Sequence, residues 1–333
     1  MRLNVIPTLL EDIKEYNDLI QNTKDLITTQ VHGLSESQRA LITYGIFKDV
    51  GGQILLLTNT DMEAKKLYND LRAFTDKCYY MPSKEMVFNI DVSSFDIRCE
   101  RLEVIRRLVN NENIIVVASV DTIFYKMPPK DIHKKYSLNI KSGEEKDVIS
   151  LMGSLLNLGY EKVEYVEGKG QFAKRGGIID LYPVNYSFPI RVEFFGDEID
   201  TIRSFDIFTQ RSVETLEEIS IHAAKEILLN SDEIDEVNTK LLNDLEKRVK
   251  ILKKKDDIKN INSRIKSNIE KLKNIRSFEG MDSYIPYFYD KAENFLDYFN
   301  KKIIILDESS KILQKINSVN FEFNESFKSF AGA

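Results

Sequence analysis

Continuous apolar runs alternate with helical stripes through the first part of the chain. Ile54-Leu55-Leu56-Leu57 and Ile114-Ile115-Val116-Val117 are apolar at every position rather than every second one. That is the pattern of strands buried on both faces. Cys78 to Met81 reads as a further short strand. Between these runs the period changes. Residues 9–29 place Leu10, Ile13, Leu19, Ile20 and Ile27 at mostly helical spacings. Ser37 to Lys48 predicts a helix stopped by Gly51-Gly52, and Thr60 with Glu63 forms a capping box for a helix from Met62 to Phe74. Phe95 to Asn110 predicts another. Ser119 or Asp121 starts a short helix that Pro128-Pro129 terminates. Strands alternating with helices predict an α/β domain built on a parallel sheet covered on both faces.

Beyond Pro128-Pro129 the pattern shortens. Tyr136 to Ile140 and Lys162 to Val166 read as strands, and Val148 to Leu158 as a helix ended by Gly159. Ile178 to Leu181 is a short strand closed by Pro183. Ile190 to Phe195 follows, then a Gly196-Asp197 hairpin signal and a strand from Glu198 to Phe205. Alternation puts Ile190, Val192 and Phe194 on one face and Arg191, Glu193 and Phe195 on the other. The first set is a core face. The second admits two readings: a neighbouring loop covers Phe195 and the charges are solvated, or the ring and the arginine anchor a protein partner.

From residue 232 to 277 the chain is rich in Lys, Asp, Glu and Asn. Ile234, Val237, Leu241, Leu245, Val249 and Leu252 recur three or four apart, as do Ile258, Ile261, Ile265, Ile269, Leu272 and Ile275. Two long amphipathic helices are predicted. The basic run Lys247-Arg248 and Lys253-Lys254-Lys255 meets Asp256-Asp257 at once and reads as a solvated face rather than a phosphate site. Ile303-Ile304-Ile305-Leu306 is then another apolar strand, expected to return to the first sheet. The expected organisation is 1–127 as the first part of an α/β domain, 128–222 as a small inserted α/β domain, and 223–333 as a helical segment with the returning strand.

Charge and chemistry narrow the function. The net charge is −6, so a chain-wide basic footprint for nucleic acid is missing. Cys78, Cys99, His32, His133 and His222 show no CxxC or HxxxH spacing, so no metal site is expected. Two isolated cysteines suit a reducing cytoplasm. The N-terminus lacks a signal-peptide apolar run, and no stretch approaches the roughly 20 apolar residues of a membrane span. The place for a phosphate-binding loop is His32 to Ala40, ahead of a helix. Of the motif G-x-x-x-x-G-K-[ST], Gly33 remains, while Gln38, Arg39 and Ala40 stand where the second glycine, the lysine and the magnesium-binding hydroxyl belong. Asp307-Glu308, after an apolar strand, has the form of a Walker B element, but its catalytic role needs a phosphate cradle opposite. Both acids read as relics. Gly168-Lys169-Gly170 and Gly176-Gly177 precede strands and read as turns.

The run Arg175-Gly176-Gly177-Ile178-Ile179-Asp180-Leu181-Tyr182-Pro183, then Arg191 to Ile199, Ser204-Phe205-Asp206 and Thr209 to Ser212, resembles the second domain of the UvrB-homology module. That module is shared by the excision-repair protein UvrB and the transcription-repair coupling factor (Mfd) family. Gly280 to Tyr284 and Leu296 to Phe299 extend the similarity. The resemblance implies a degenerate RecA/P-loop-like parallel sheet domain, discontinuous in sequence, with the small domain inserted. It implies docking onto UvrA through Arg175, Arg191 and Phe195, with Glu193 and Asp197 as complementary charges. Loss of the nucleotide site at Gly33, Gln38, Arg39, Ala40, Asp307 and Glu308 favours the coupling factors over UvrB. So does the short interval from Tyr79 to Ser94, where UvrB carries a damage-probing hairpin. In that family RNA polymerase and DNA are engaged through other domains, and ATP and magnesium serve a translocase; those domains are expected to lie outside this stretch. The expectation is thus a fragment acting as a non-catalytic UvrA adaptor in nucleotide excision repair. The alternative is a nucleotide-hydrolysing translocase or UvrB-like fragment with residual ATP or DNA binding.

Overall fold

A computed structural model of the protein describes residues 10–84, 86–87, 90–91, 95–252, 254–300 and 302–331. The chain divides into two compact units. The first comprises residues 1–84, 103–125 and 294–333, and the second 85–102 and 126–293.

The first unit is built on a four-stranded parallel sheet in the order Lys302–Leu306, Gln53–Thr58, Ile114–Ser119, Cys78–Met81. Leu55 lies between Ile304 and Val116 in register. Every residue of Gln53–Thr58 and Ile114–Ser119 is buried, which explains why neither strand alternates. The strand before Asp307 therefore does return to this sheet, from nearly 200 residues downstream of Ile114–Ser119. Helices Glu36–Val50 and Asp61–Arg72 contribute Ala40, Ile46, Ala64, Leu67 and Leu71 to the core over Ile54, Leu56, Ile115 and Val117. The capping box forms: Thr60 Oγ1 accepts from Glu63 N at 3.2 Å and Glu63 Oε2 accepts from Thr60 N at 3.1 Å.

In the interval from Tyr79 to Ser94, residues 85, 88–89 and 92–94 lie outside the described residues. Beyond the end of the Cys78–Met81 strand and residues 82–84, the described part is a minimal antiparallel pair, Met86–Val87 with Ile90–Asp91.

In the second unit, six strands form one sheet in the order Ser212–Leu216, Glu198–Phe205, Ile190–Phe195, Ile178–Leu181, Gln171–Arg175, Glu161–Lys162. All neighbours are antiparallel except the last pair. Ile179, Leu181, Ile190, Val192, Ile199 and Ile202 point to one core, which helix Val148–Asn157 covers with Leu151 and Leu155. Ser137–Lys141 pairs with Glu218–His222 in a separate two-stranded sheet. Besides the short pair at 86–91, three strands escape the sequence pattern: Gln171–Arg175, Ser212–Leu216 and Glu218–His222. Each has few apolar residues because one face meets water or charge. The expected strand from Lys162 to Val166 shrinks to Glu161–Lys162. Helices Ser231–Ile251 and Lys255–Ile275 form as patterned, and Ile234, Val237, Leu241 and Leu272 pack with Phe278, Ile285 and Phe288 in a second core.

Candidate functional site

The outer face of the six-stranded sheet, opposite the core, gathers the charged positions. Asp180 sits directly across from Arg191 in the ladder, and Arg191 across from Arg203. Arg191 grips Asp180 with two bonds, Nε to Oδ1 at 2.6 Å and Nη2 to Oδ2 at 2.9 Å. Arg175, at the end of its own strand, donates to the same Oδ2. The Asp180 side chain is only 3% exposed, so one buried carboxylate orders two guanidinium groups. The hydrogen bonds to Asp180 hold the Arg191 charge firmly, raising its pKa above its ordinary value although burial works the other way. The Arg191 guanidinium also lies 4.6 Å from the centre of the buried Phe205 ring, and its Nη2 donates to Gln210 Oε1 at 2.9 Å. Arg191 is thus mostly enclosed, at 18% exposure, whereas Arg175 keeps 47% and leans over Tyr165 at 5.4 Å.

Two turns set this arrangement. In Gly176-Gly177, the first glycine takes φ +61°, and a Cβ on the second would sit 3.2 Å from the Phe194 carbonyl oxygen. Phe194 N donates to Gly177 O at 2.8 Å, so the turn packs against the neighbouring strand. Gly196, at φ +65°, opens the two-residue turn after Phe195. A bulge between Glu193 and Phe194 pairs Glu193 with Thr201 but Phe194 with Ile199. Phe194 packs against the core, and Phe195 projects to solvent with 83% exposure.

The structure brings Arg175 and Arg191 together and places Phe195 farther along the Arg191 strand, on the same side by alternation. Glu193 is engaged within the sheet by Arg203 and by Thr201 Oγ1 at 3.2 Å. Asp197 is exposed in the turn, its carbonyl accepting from Lys146 N at 2.7 Å. Sequence reasoning missed the organising role of Asp180, and with it Gln210, Phe205 and Arg203. The signal was present: a lone acid inside an apolar strand, on the face that carries Arg191 in the neighbouring strand.

The other candidate region lies in the first unit. Arg39 Nη1 binds both carboxylate oxygens of Asp307, at 3.0 and 2.9 Å, and its Nη2 approaches Glu308 Oε1 at 3.4 Å. Burial holds the Asp307 carboxyl above its usual range despite the opposing pull of Arg39. Ala40 is fully buried, Gln38 Oε1 accepts from Ser35 N at 2.8 Å, and Glu36 pairs with Lys66. Gly33 has φ +80° with open space around it. The cation that faces these acids belongs to the protein itself, and no hydroxyl stands at position 40. This set does not fit a magnesium nucleotide. Among the described residues no helix is long and apolar enough to cross a membrane.

Residues 138–227, which include the whole Asp180 network, match the model of the UvrB interaction domain. Over 312 residues the chain is 33% identical to a transcription-repair-coupling factor of Bacillus subtilis, covering 92% of this chain and 26% of that protein. Those of Staphylococcus aureus (strain MRSA252) and Staphylococcus haemolyticus are each 28% identical, over 96% and 94% of this chain and 28% and 26% of theirs. The chain spans about a quarter of the length of the curated relatives it matches. With its UvrB interaction domain and its similarity along nearly the whole stretch, the chain belongs with the transcription-repair-coupling factors, as their N-terminal UvrB-homology module.

Proposed function

We propose that this chain is a non-catalytic adaptor that docks UvrA on the outer face of its six-stranded sheet. The observation that carries the reading is Phe195. Its ring stands at 83% exposure at the end of the strand whose Arg191 is locked to Asp180. Burying such a ring in a partner is worth roughly 1.5–3 kcal/mol, and an aromatic sharing a face with ordered arginines is the composition of an interface hot spot. Arg175, half exposed and oriented by Asp180, supplies a fork for a partner carboxylate. The match to the UvrB interaction domain and the relatives' shared name support UvrA as that partner. In the longer protein this step brings the excision-repair machinery to transcription. Contacts with RNA polymerase and DNA, and use of ATP and magnesium, then fall to other parts of the polypeptide. The rival reading, a nucleotide-hydrolysing fragment, is disfavoured because Arg39 occupies the acids that such a site reserves for magnesium.

Binding of UvrA to the wild-type chain and to Phe195→Ala tests the proposal. The substitution removes an exposed ring, so melting should be unchanged while affinity falls by about 30-fold or more, the threshold of a hot spot. Equal affinity in the folded variant removes the docking assignment.

A further inference from the structure

We infer that the docking face carries a second aromatic anchor, Phe208, in the loop at the end of the hairpin away from Phe195, with Val213 in the strand that follows. The inference rests on the UvrA-docking reading and extends its footprint.

Residues 206–211 connect strands Glu198–Phe205 and Ser212–Leu216. The loop is closed by Asp206 N donating to Arg211 O at 2.9 Å and Gln210 N donating to Asp206 O at 2.8 Å. Inside it, Asp206 Oδ1 accepts from Phe208 N at 3.1 Å, Thr209 N at 2.7 Å and Thr209 Oγ1 at 2.9 Å. These bonds, the Thr209 amide foremost, hold the Asp206 carboxyl below its ordinary range. Gln210 adopts φ +59° and accepts from Arg191. The loop is therefore fixed from within and tied to the arginine that grips Asp180. Yet it displays Phe208 at 92% exposure, more than Phe195 itself.

Holding the loop rigid reduces the ordering entropy that a partner must overcome on contact. The neighbouring strand points the same way. Thr215 pairs with Arg203, which pairs with Arg191, so Thr215 lies on the outer face. Val213, two residues earlier, is the extra residue at the register shift opposite Ser204 and Phe205, and it is 53% exposed. Phe195 ends its strand at the Gly196 turn, while the 206–211 loop leaves the opposite end of the same hairpin. Arg191 lies between them, about 13 Å along the strand from Phe195. Two apolar ends thus flank a charged, ordered centre, and a specific interface buries about 800 Å² per partner, more than one ring supplies. The UvrA surface then needs two apolar sockets, one for each ring, with acidic groups between.

The test compares UvrA affinity of the full chain as wild type, Phe195→Ala, Phe208→Ala and Val213→Ala. Phe208→Ala should weaken binding at least tenfold and Val213→Ala severalfold, with unchanged melting, because both side chains are exposed. A photo-crosslinking phenylalanine analogue at position 208 should capture UvrA, and the same group at the exposed Phe321 should not. If Phe195→Ala loses affinity while Phe208→Ala binds within twofold of wild type and position 208 gives no crosslink, the second anchor is overturned and the docking face stands. If neither ring matters, the docking reading itself fails and takes this inference with it.

Discussion

Replacing Arg191 with alanine separates structure from docking, because this residue serves both. In the wild type, Asp180 is buried in the middle of the sheet and meets Arg191 through two bonds of 2.6 and 2.9 Å. Removing one partner of a fully buried pair costs roughly 3–5 kcal/mol, since the remaining charge has lost its water and its counter-ion. Here Arg175 still reaches Asp180 and is itself half exposed, so it compensates in part. The variant also loses the stacking on Phe205 and the bond to Gln210. A net cost of about 2–4 kcal/mol follows. The appropriate assay is local, because the chain has two units and unfolding need not be a single transition. Native-state hydrogen exchange of the amides in Ile178–Leu181 and Ile190–Phe195 should accelerate by roughly 30- to 1,000-fold if they exchange through opening of this sheet. Phe195→Ala should leave the same amides unchanged. Arg191→Lys should recover only part of the loss, because an ammonium cannot reproduce the fork. Exchange at the wild-type rate in Arg191→Ala would refute the claim that Asp180 needs its bidentate partner. Any UvrA-binding defect of that variant must be read with this structural loss in view.

Two further expectations concern the first unit. Equilibrium titration with magnesium ATP should show no saturable binding in the micromolar range; saturable binding that disappears in Asp307→Ala would overturn the adaptor reading in favour of a nucleotide site. The Asp307 carboxyl, raised by burial, binds its proton more tightly in the folded than in the unfolded chain. Its contribution to stability is therefore full at low pH and is lost as the pH rises through the raised value. Asp307→Asn should accordingly lose less stability than the wild type as the pH rises from about 4, the ordinary carboxylate range; a variant whose melting follows the wild-type pH profile contradicts this.

The apolar strands Gln53–Thr58 and Ile114–Ser119 and the helices between them were legible because a strand buried on both faces has no polar position to blur its signal. The Ile190–Phe195 strand was legible for the opposite reason, its clean alternation. Gln171–Arg175 and Ser212–Leu216 were not, since their outward positions carry charge and hydroxyl groups that read as loop. Arg175, Arg191 and Phe195 stood out through motif resemblance, whereas Asp180, a lone acid in an apolar strand, shows its two partners only once the neighbouring strands are paired.

The sequence by itself determined which segments bury apolar side chains, where the glycine turns fall, and that Gln38, Arg39 and Ala40 replace a phosphate cradle. Those properties depend on neighbours within a few residues. Only the tertiary structure decided that Arg39 closes on Asp307, 268 positions away, and that two arginines share one buried carboxylate while two phenylalanines stay in water. Register and turn geometry set those encounters, because a hydrogen bond of 3 Å depends on where strands lie and not on how far apart their residues are in the chain.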